Sequence, residues 1–137
     1  MEQQKDLIVD ISEKRQKFFG CSGKMLLPSP ATVAAQINKI PEHKLVTVDL
    51  LQRQLAHQFN VQATCPVATR KALQAIIKDS SKQVAYWRVI KKNGELFSLF
   101  PGGIEGHAAR LRKEGFSIDT IGRVPRVHNF SEDLVRS

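Results

Sequence analysis

Thr64-Cys65-Pro66-Val67-Ala68-Thr69-Arg70-Lys71-Ala72-Leu73-Gln74-Ala75-Ile76-Ile77-Lys78 is the stretch on which the fold turns. Thr64 offers an N-cap, and Pro66 falls in a first turn whose N–H groups have no partner inside a helix, so the spacing predicts a helix over residues 64–78. At about 100° per residue, Cys65, Thr69, Ala72, Leu73, Ile76 and Ile77 gather on one side. Val67, Arg70, Lys71, Gln74 and Lys78 fall on the other. The first set is a core stripe. The second is a short polar row of cations and one amide, suited to the base edges and phosphates of a major groove. An ordinary solvated helix face has a similar composition, so the row needs support from its neighbours.

Working outward, two helices precede it. Pro28-Ser29-Pro30 punctuates the start of one in which Val33, Ile37 and Ile40 recur at i, i+4 and i+7, and Pro41 stops it. Thr47 caps another that runs to about Asn60, with Leu51, Leu55 and Phe59 along one face. After residue 78, Val84–Ile90 and Glu95–Phe100 flank Lys91-Lys92-Asn93-Gly94, and Asn-Gly between apolar strands is a strong hairpin signal. Three helices and a hairpin describe a winged helix-turn-helix, mainly α with a small β-hairpin, with Lys91 and Lys92 at the wing tip. A further helix carries Ile104, Ala108 and Leu111 and ends at Gly115.

The ends of the chain have weaker patterns. Residues 1–24 form a polar leader whose structure the pattern does not specify, with Leu7, Ile8, Val9 and Ile11 followed by Glu13-Lys14-Arg15-Gln16-Lys17 and Phe18-Phe19. Residues 119–137 are expected to be a partly ordered tail with a short helix capped by Ser131. The expected organisation is an N-terminal extension (1–24), one domain (25–118) and a C-terminal tail (119–137).

Composition bounds the function. With 137 residues, 42% hydrophobic and 25% charged, the chain can bury one normal core, which excludes wholesale disorder and a pair of full-sized domains. No apolar run suits a membrane span and no secretory pattern opens the sequence, so a cytoplasmic location and no membrane partner are expected. The formal net charge is +8, and residues 61–100, with seven basic and two acidic groups, hold +5 of it. Such a concentration favours a phosphate-bearing partner. Cys21 and Cys65 make neither a disulfide framework nor a metal spacing. His43, His57, His107 and His128 are scattered, and periodicity turns Cys65 inward, so no catalytic Cys/His unit, metal or cofactor is expected.

Ile40-Pro41-Glu42-His43-Lys44-Leu45-Val46-Thr47, Arg88-Val89-Ile90, Asn93-Gly94, Phe100-Pro101-Gly102-Gly103 and Lys113-Glu114-Gly115, in this order and spacing, resemble the C-terminal domain of the alkylguanine-DNA alkyltransferases. The resemblance covers about residues 25–118. In that family a Pro-Cys-His-Arg-Val motif supplies the thiol that takes the alkyl group from a flipped guanine; aligned through Arg88-Val89, this chain reads Ala85-Tyr86-Trp87 instead. A phenol does not replace a thiolate as acceptor, and an indole does not activate one. The chain therefore resembles the alkyltransferase-like proteins, which carry an aromatic residue, usually Trp, in place of that cysteine and bind alkylated DNA without repairing it.

The helix, the turn and the resemblance together mark Thr64, Val67, Arg70, Lys71, Gln74, Lys78, Arg88, Lys91 and Lys92 as candidate contacts to double-stranded DNA. Tyr86, Trp87, Phe100, Gly102, Gly103 and Glu114 are candidates for a base pocket. The match also has departures. Val48 stands where the family has a phosphate-contacting tyrosine, Val67 where an arginine fills the vacated stack, Phe100 where a pocket tyrosine precedes Gly-Gly, and Lys78 where an asparagine joins the catalytic network. Of that network Glu114 alone remains. Because extruding a base costs a few kcal/mol and needs a wedge and a pocket, groove binding is the primary expectation and sensing of alkylated guanine a conditional one. Two other classes stay open: a winged-helix adaptor for protein partners, and an enzyme with an unrecognised site.

Overall fold

A computed structural model describes residues 5–20, 22–79 and 83–135 of the chain. Its order is β1 (Leu7–Asp10), α1 (Glu13–Phe19), β2 (Lys24–Leu27), α2 (Pro30–Ile37), β3 (Val46–Thr47), α3 (Val48–Gln58), β4 (Ala63–Thr64), α4 (Pro66–Lys78), a 3-10 turn (Tyr86–Arg88), β5 (Val89–Ile90), α5 (Gly103–Lys113), β6 (Ile118–Asp119), β7 (Arg126–Val127) and a second 3-10 turn (Phe130–Asp133). The chain is thus mixed α/β, with five helices and small sheets among the described residues. None of these helices is long and apolar enough to cross a membrane.

The helices begin where local chemistry allows. Ser29 accepts the Thr32 N–H ahead of α2, and Thr47 accepts the Leu50 N–H ahead of α3. Their apolar stripes meet those of α4 in one core containing Val33, Ile37, Leu51, Leu55, Ala72 and Leu73. Each fully buried Leu or Ile contributes about 1.5–3 kcal/mol relative to an exposed one. A second cluster packs Leu45, Ile90 and Leu96 against Ala108 and Leu111 of α5. That helix needs its glycines. Gly102 and Gly103 both have positive φ at its start, and a Cβ on Gly106 would stand 2.0 Å from the Pro101 carbonyl oxygen.

The structure departs from the sequence reading in three places. Thr64 does not cap α4; it lies in β4, its hydroxyl donates to the Gln52 carbonyl at 2.7 Å, and Cys65 is the N-cap without a side-chain bond. The expected hairpin between 84–90 and 95–100 does not form. Val89 and Ile90 are fully buried, one in each core cluster, and β5 pairs in parallel with Val46 and Thr47 along its edge. Lys91–Gly94 does make a tight turn, closed by the Lys91 N–H donating to Glu95 O, but the chain beyond it bonds to residues 125–127. At the N-terminus, where the sequence specifies no structure, β1 pairs antiparallel with β2, and β2 pairs in parallel with β4, giving the order β1-β2-β4 at the start of α4. At the other end Ser131 lies inside a 3-10 turn that follows Asn129, whose φ is +52°, so it caps no helix.

Candidate nucleic-acid interface

The packing of α4 decides what it presents. Ala68, Thr69, Ala72, Leu73 and Ile76 are buried, and Ile77 is half-buried. Val67, Arg70, Lys71, Gln74 and Lys78 are all exposed. None of the three cations in this row has an ion pair among the described residues. The charged turn lies beside the row: Arg70 and Lys91 both line a hollow of about 250 Å³, together with Gln52 and Ser98. Lys91 Nζ stands 5.7 Å from the Phe97 ring centroid, which anchors its stem and leaves the residue exposed, and Lys92 is exposed next to it. Arg70, Lys71, Gln74 and Lys78 thus form a solvent-facing row on α4 that meets the turn where Arg70 and Lys91 share the hollow, with Lys92 exposed beside Lys91, while Thr64 is buried.

Arg88 and Glu114 hold each other. Arg88 Nε lies 2.8 Å from Glu114 Oε1 and 3.2 Å from Oε2, and Nη1 donates to the Ile40 carbonyl at 2.8 Å. Only 13% and 11% of the two side chains is exposed, so neither presents a free charge to a ligand.

The aromatic candidates do come together. Tyr86 and Trp87, on the 3-10 turn, meet edge-to-face at 5.3 Å, and Tyr86 meets Phe100 in the same way at 5.1 Å. Tyr86 and Trp87 line a cleft of about 620 Å³, closed by Ile76 and Ile77 from α4, Pro101 from the turn before α5, and Arg110 from α5. Its size suits a small organic ligand, whose sites span roughly 300–1,000 Å³. Phe100 is 2% exposed and supports Tyr86 from beneath. Gly102 and Gly103 shape the turn that carries Pro101 into α5.

Two residues of this site escaped the sequence reading. The exposed Arg110 places its guanidinium carbon 5.0 Å from the centre of the Trp87 ring, a cation–π contact at the cleft wall. The Trp87 Nε1 is buried without a hydrogen-bond partner among the described residues. His107 is 1% exposed and joins both sides of the aromatic cluster: its Nδ1 accepts the Phe97 N–H at 3.0 Å, which leaves Nε2 to donate to the Trp87 carbonyl at 2.8 Å. Burial disfavours its charged form and lowers its pKa from 6.5 to about 4, against a smaller opposing effect of the Trp87 bond. An i, i+3 repeat of Gly103, Gly106 and Ala109 alongside His107 and Arg110 gives no hint of either contact, because both partners lie in other segments.

In chemical terms the site offers aromatic rings and exposed cations. Cys65, the one cysteine among the described residues, is buried with its sulfur 3.6 Å from Arg15 Nη1 and does not line the cleft; Cys21 lies outside the described residues. No cluster of His, Cys, Asp or Glu among the described residues could hold a metal ion. No protein-family model, curated protein or solved structure matches the chain.

Proposed function

We propose that the protein is a non-catalytic DNA-binding protein of the winged-helix kind, similar in its role to the alkyltransferase-like proteins. In this reading α3 and α4 act as a helix-turn-helix pair, α4 enters the major groove, and the Lys91–Gly94 turn stands against a phosphate backbone. The observation that carries it is the sharing of one hollow by Arg70 of α4 and Lys91 of the turn. The turn does the work of a wing even though no ladder continues from it, because phosphate contact needs charge and position and not a long ribbon.

The cleft supports a second, dependent part of the reading. An extruded base would stack between Tyr86, Trp87 and the Arg110 guanidinium. The cost of extrusion needs an offset, and in this reading Val67, an apolar side chain 52% exposed on the row, supplies the wedge. Alkyl transfer is outside this function, since the position of the nucleophile is Tyr86.

The test is a titration of matched duplexes, with and without an alkylguanine, at several salt concentrations. Arg70→Ala with Lys71→Ala is expected to weaken binding and to make the log–log salt slope shallower by about 1.8, at about 0.9 per lost phosphate contact. Unchanged affinity overturns the assignment of α4. Tyr86→Ala is expected to remove any preference for the alkylated duplex while general binding persists. Absence of salt-dependent duplex binding in the parent protein would instead favour a protein-interaction adaptor, for which Leu7, Ile8 and Val9 on the outer strand β1 offer exposed apolar surface.

A further inference from the structure

Glu13-Lys14-Arg15-Gln16-Lys17-Phe18-Phe19 plays no part in the interface described above. The fold nonetheless sets it against the first turn of α4. Arg15 Nη1 lies 3.6 Å from the sulfur of Cys65, the N-cap of α4, and 3.6 Å from the sulfur of Met25 on β2. Phe19 packs on the cluster that contains Cys65 and Ala68. On α4, Ala68 and Lys71 are i, i+3 neighbours, so the cluster on which Phe19 packs adjoins the exposed row on its Lys71 side. The hollow shared with Lys91 borders the same row on its Arg70 side.

With Arg15, Gln16 and Phe19 turned partly inward, Lys14 and Lys17 are exposed. Neither has an ion pair among the described residues. Glu13 is the exposed acid of the same helix, and nearby Lys24 is held by Asp10 at 2.6 Å. A helix lying in a major groove has a sugar-phosphate strand on either side of it, and contacts to those strands fix its orientation. The Lys91–Gly94 turn stands on one side of α4, where Lys91 shares the hollow with Arg70.

We propose that α1 is a second phosphate-binding flank, in which Lys14 and Lys17 contact the DNA strand on the side of α4 opposite to Lys91 and Lys92. The inference rests on the DNA-binding reading and adds a segment to it. The ligand is the duplex backbone, engaged through charge and without regard to base sequence.

The experiment uses the full chain, with anisotropy of a labelled duplex followed across a salt series. Lys14→Gln with Lys17→Gln is expected to lower affinity at low salt and to make the salt slope shallower by about 1.8, with the ranking of duplex sequences unchanged. Lys14→Arg with Lys17→Arg is expected to keep the parent slope. Urea unfolding of both variants should match the parent, since the side chains are exposed. A glutamine variant with the parent slope overturns the flank alone, provided that Arg70→Ala with Lys71→Ala does change the slope. If the arginine variant loses as much as the glutamine one, charge is not the cause and the flank is overturned as well. A parent protein with no salt-dependent duplex binding removes the underlying reading first.

Discussion

Arg88 and Glu114 make a fork-like ion pair in the interior, with the guanidinium Nε between both carboxylate oxygens at 2.8 and 3.2 Å and its Nη1 on the Ile40 carbonyl. It ties the segment before α3 and the end of α5 to the 3-10 turn that carries Tyr86 and Trp87. Removing one partner leaves the other charged and buried. Glu114→Gln and Arg88→Ala are each expected to lose about 3–5 kcal/mol in urea unfolding. Arg88→Met with Glu114→Leu should recover much of that loss. A single variant within about 0.5 kcal/mol of the parent would show that solvent screens the pair.

His107 gives stability a defined pH dependence. Its pKa is about 4 when folded and 6.5 when unfolded, so between those values the unfolded chain binds more protons. Its contribution is therefore complete above about pH 6.5, falls as pH drops through that window and levels off below about pH 4, for a total on the order of 3 kcal/mol. Urea midpoints measured from about pH 8 down to about pH 4 should decline more steeply for the parent than for His107→Gln. Parallel profiles would refute the assignment.

Trp87 is the one tryptophan of the chain, so its fluorescence reports the cleft directly. Arg110→Ala uncovers one ring face and is expected to shift emission to longer wavelength and to increase quenching by acrylamide. The stability change should be small, about 0.5–1 kcal/mol, as for a cation–π contact at an exposed site. Unaltered emission would mean that the guanidinium does not cover the ring in solution.

Gly106→Ala probes the approach of α5 to the preceding turn. The added methyl would meet the Pro101 carbonyl oxygen at 2.0 Å and its carbon at 2.9 Å. Backbone must move to admit it, so a loss of about 3 kcal/mol is expected in spite of alanine's higher helix propensity. A thermal melt at or above the parent temperature would contradict the close approach.

The helices were legible because their signal is local. Val33 and Ile37, Leu51 and Leu55, and Ala72, Leu73 and Ile76 repeat at helical spacing, and the structure buries all of them. The exposed row of α4 follows from the same periodicity, and so does the inward turn of Cys65. Strand partners were not legible. Val89-Ile90 is too short and too fully buried to alternate, and Asn93-Gly94 specifies a turn without naming the strands that leave it. Met25 pairs with Ala63 and Val46 with Val89 across long separations that no local pattern encodes. In the site, the Tyr86–Phe100 contact agrees with grouping those aromatics. Arg88 and Glu114 were grouped with ligand-facing residues; Arg88 does line the cleft, but across a 26-residue separation the two charges satisfy each other.

Leu45 donates its N–H to Asp133 O and accepts that of Val135, and this bridge to Leu134 spans most of the chain. Such a clasp forms late by necessity. During synthesis Leu45 has no partners until residue 135 has left the ribosome, so closing this clasp is slow relative to forming the helices, whose contacts are local.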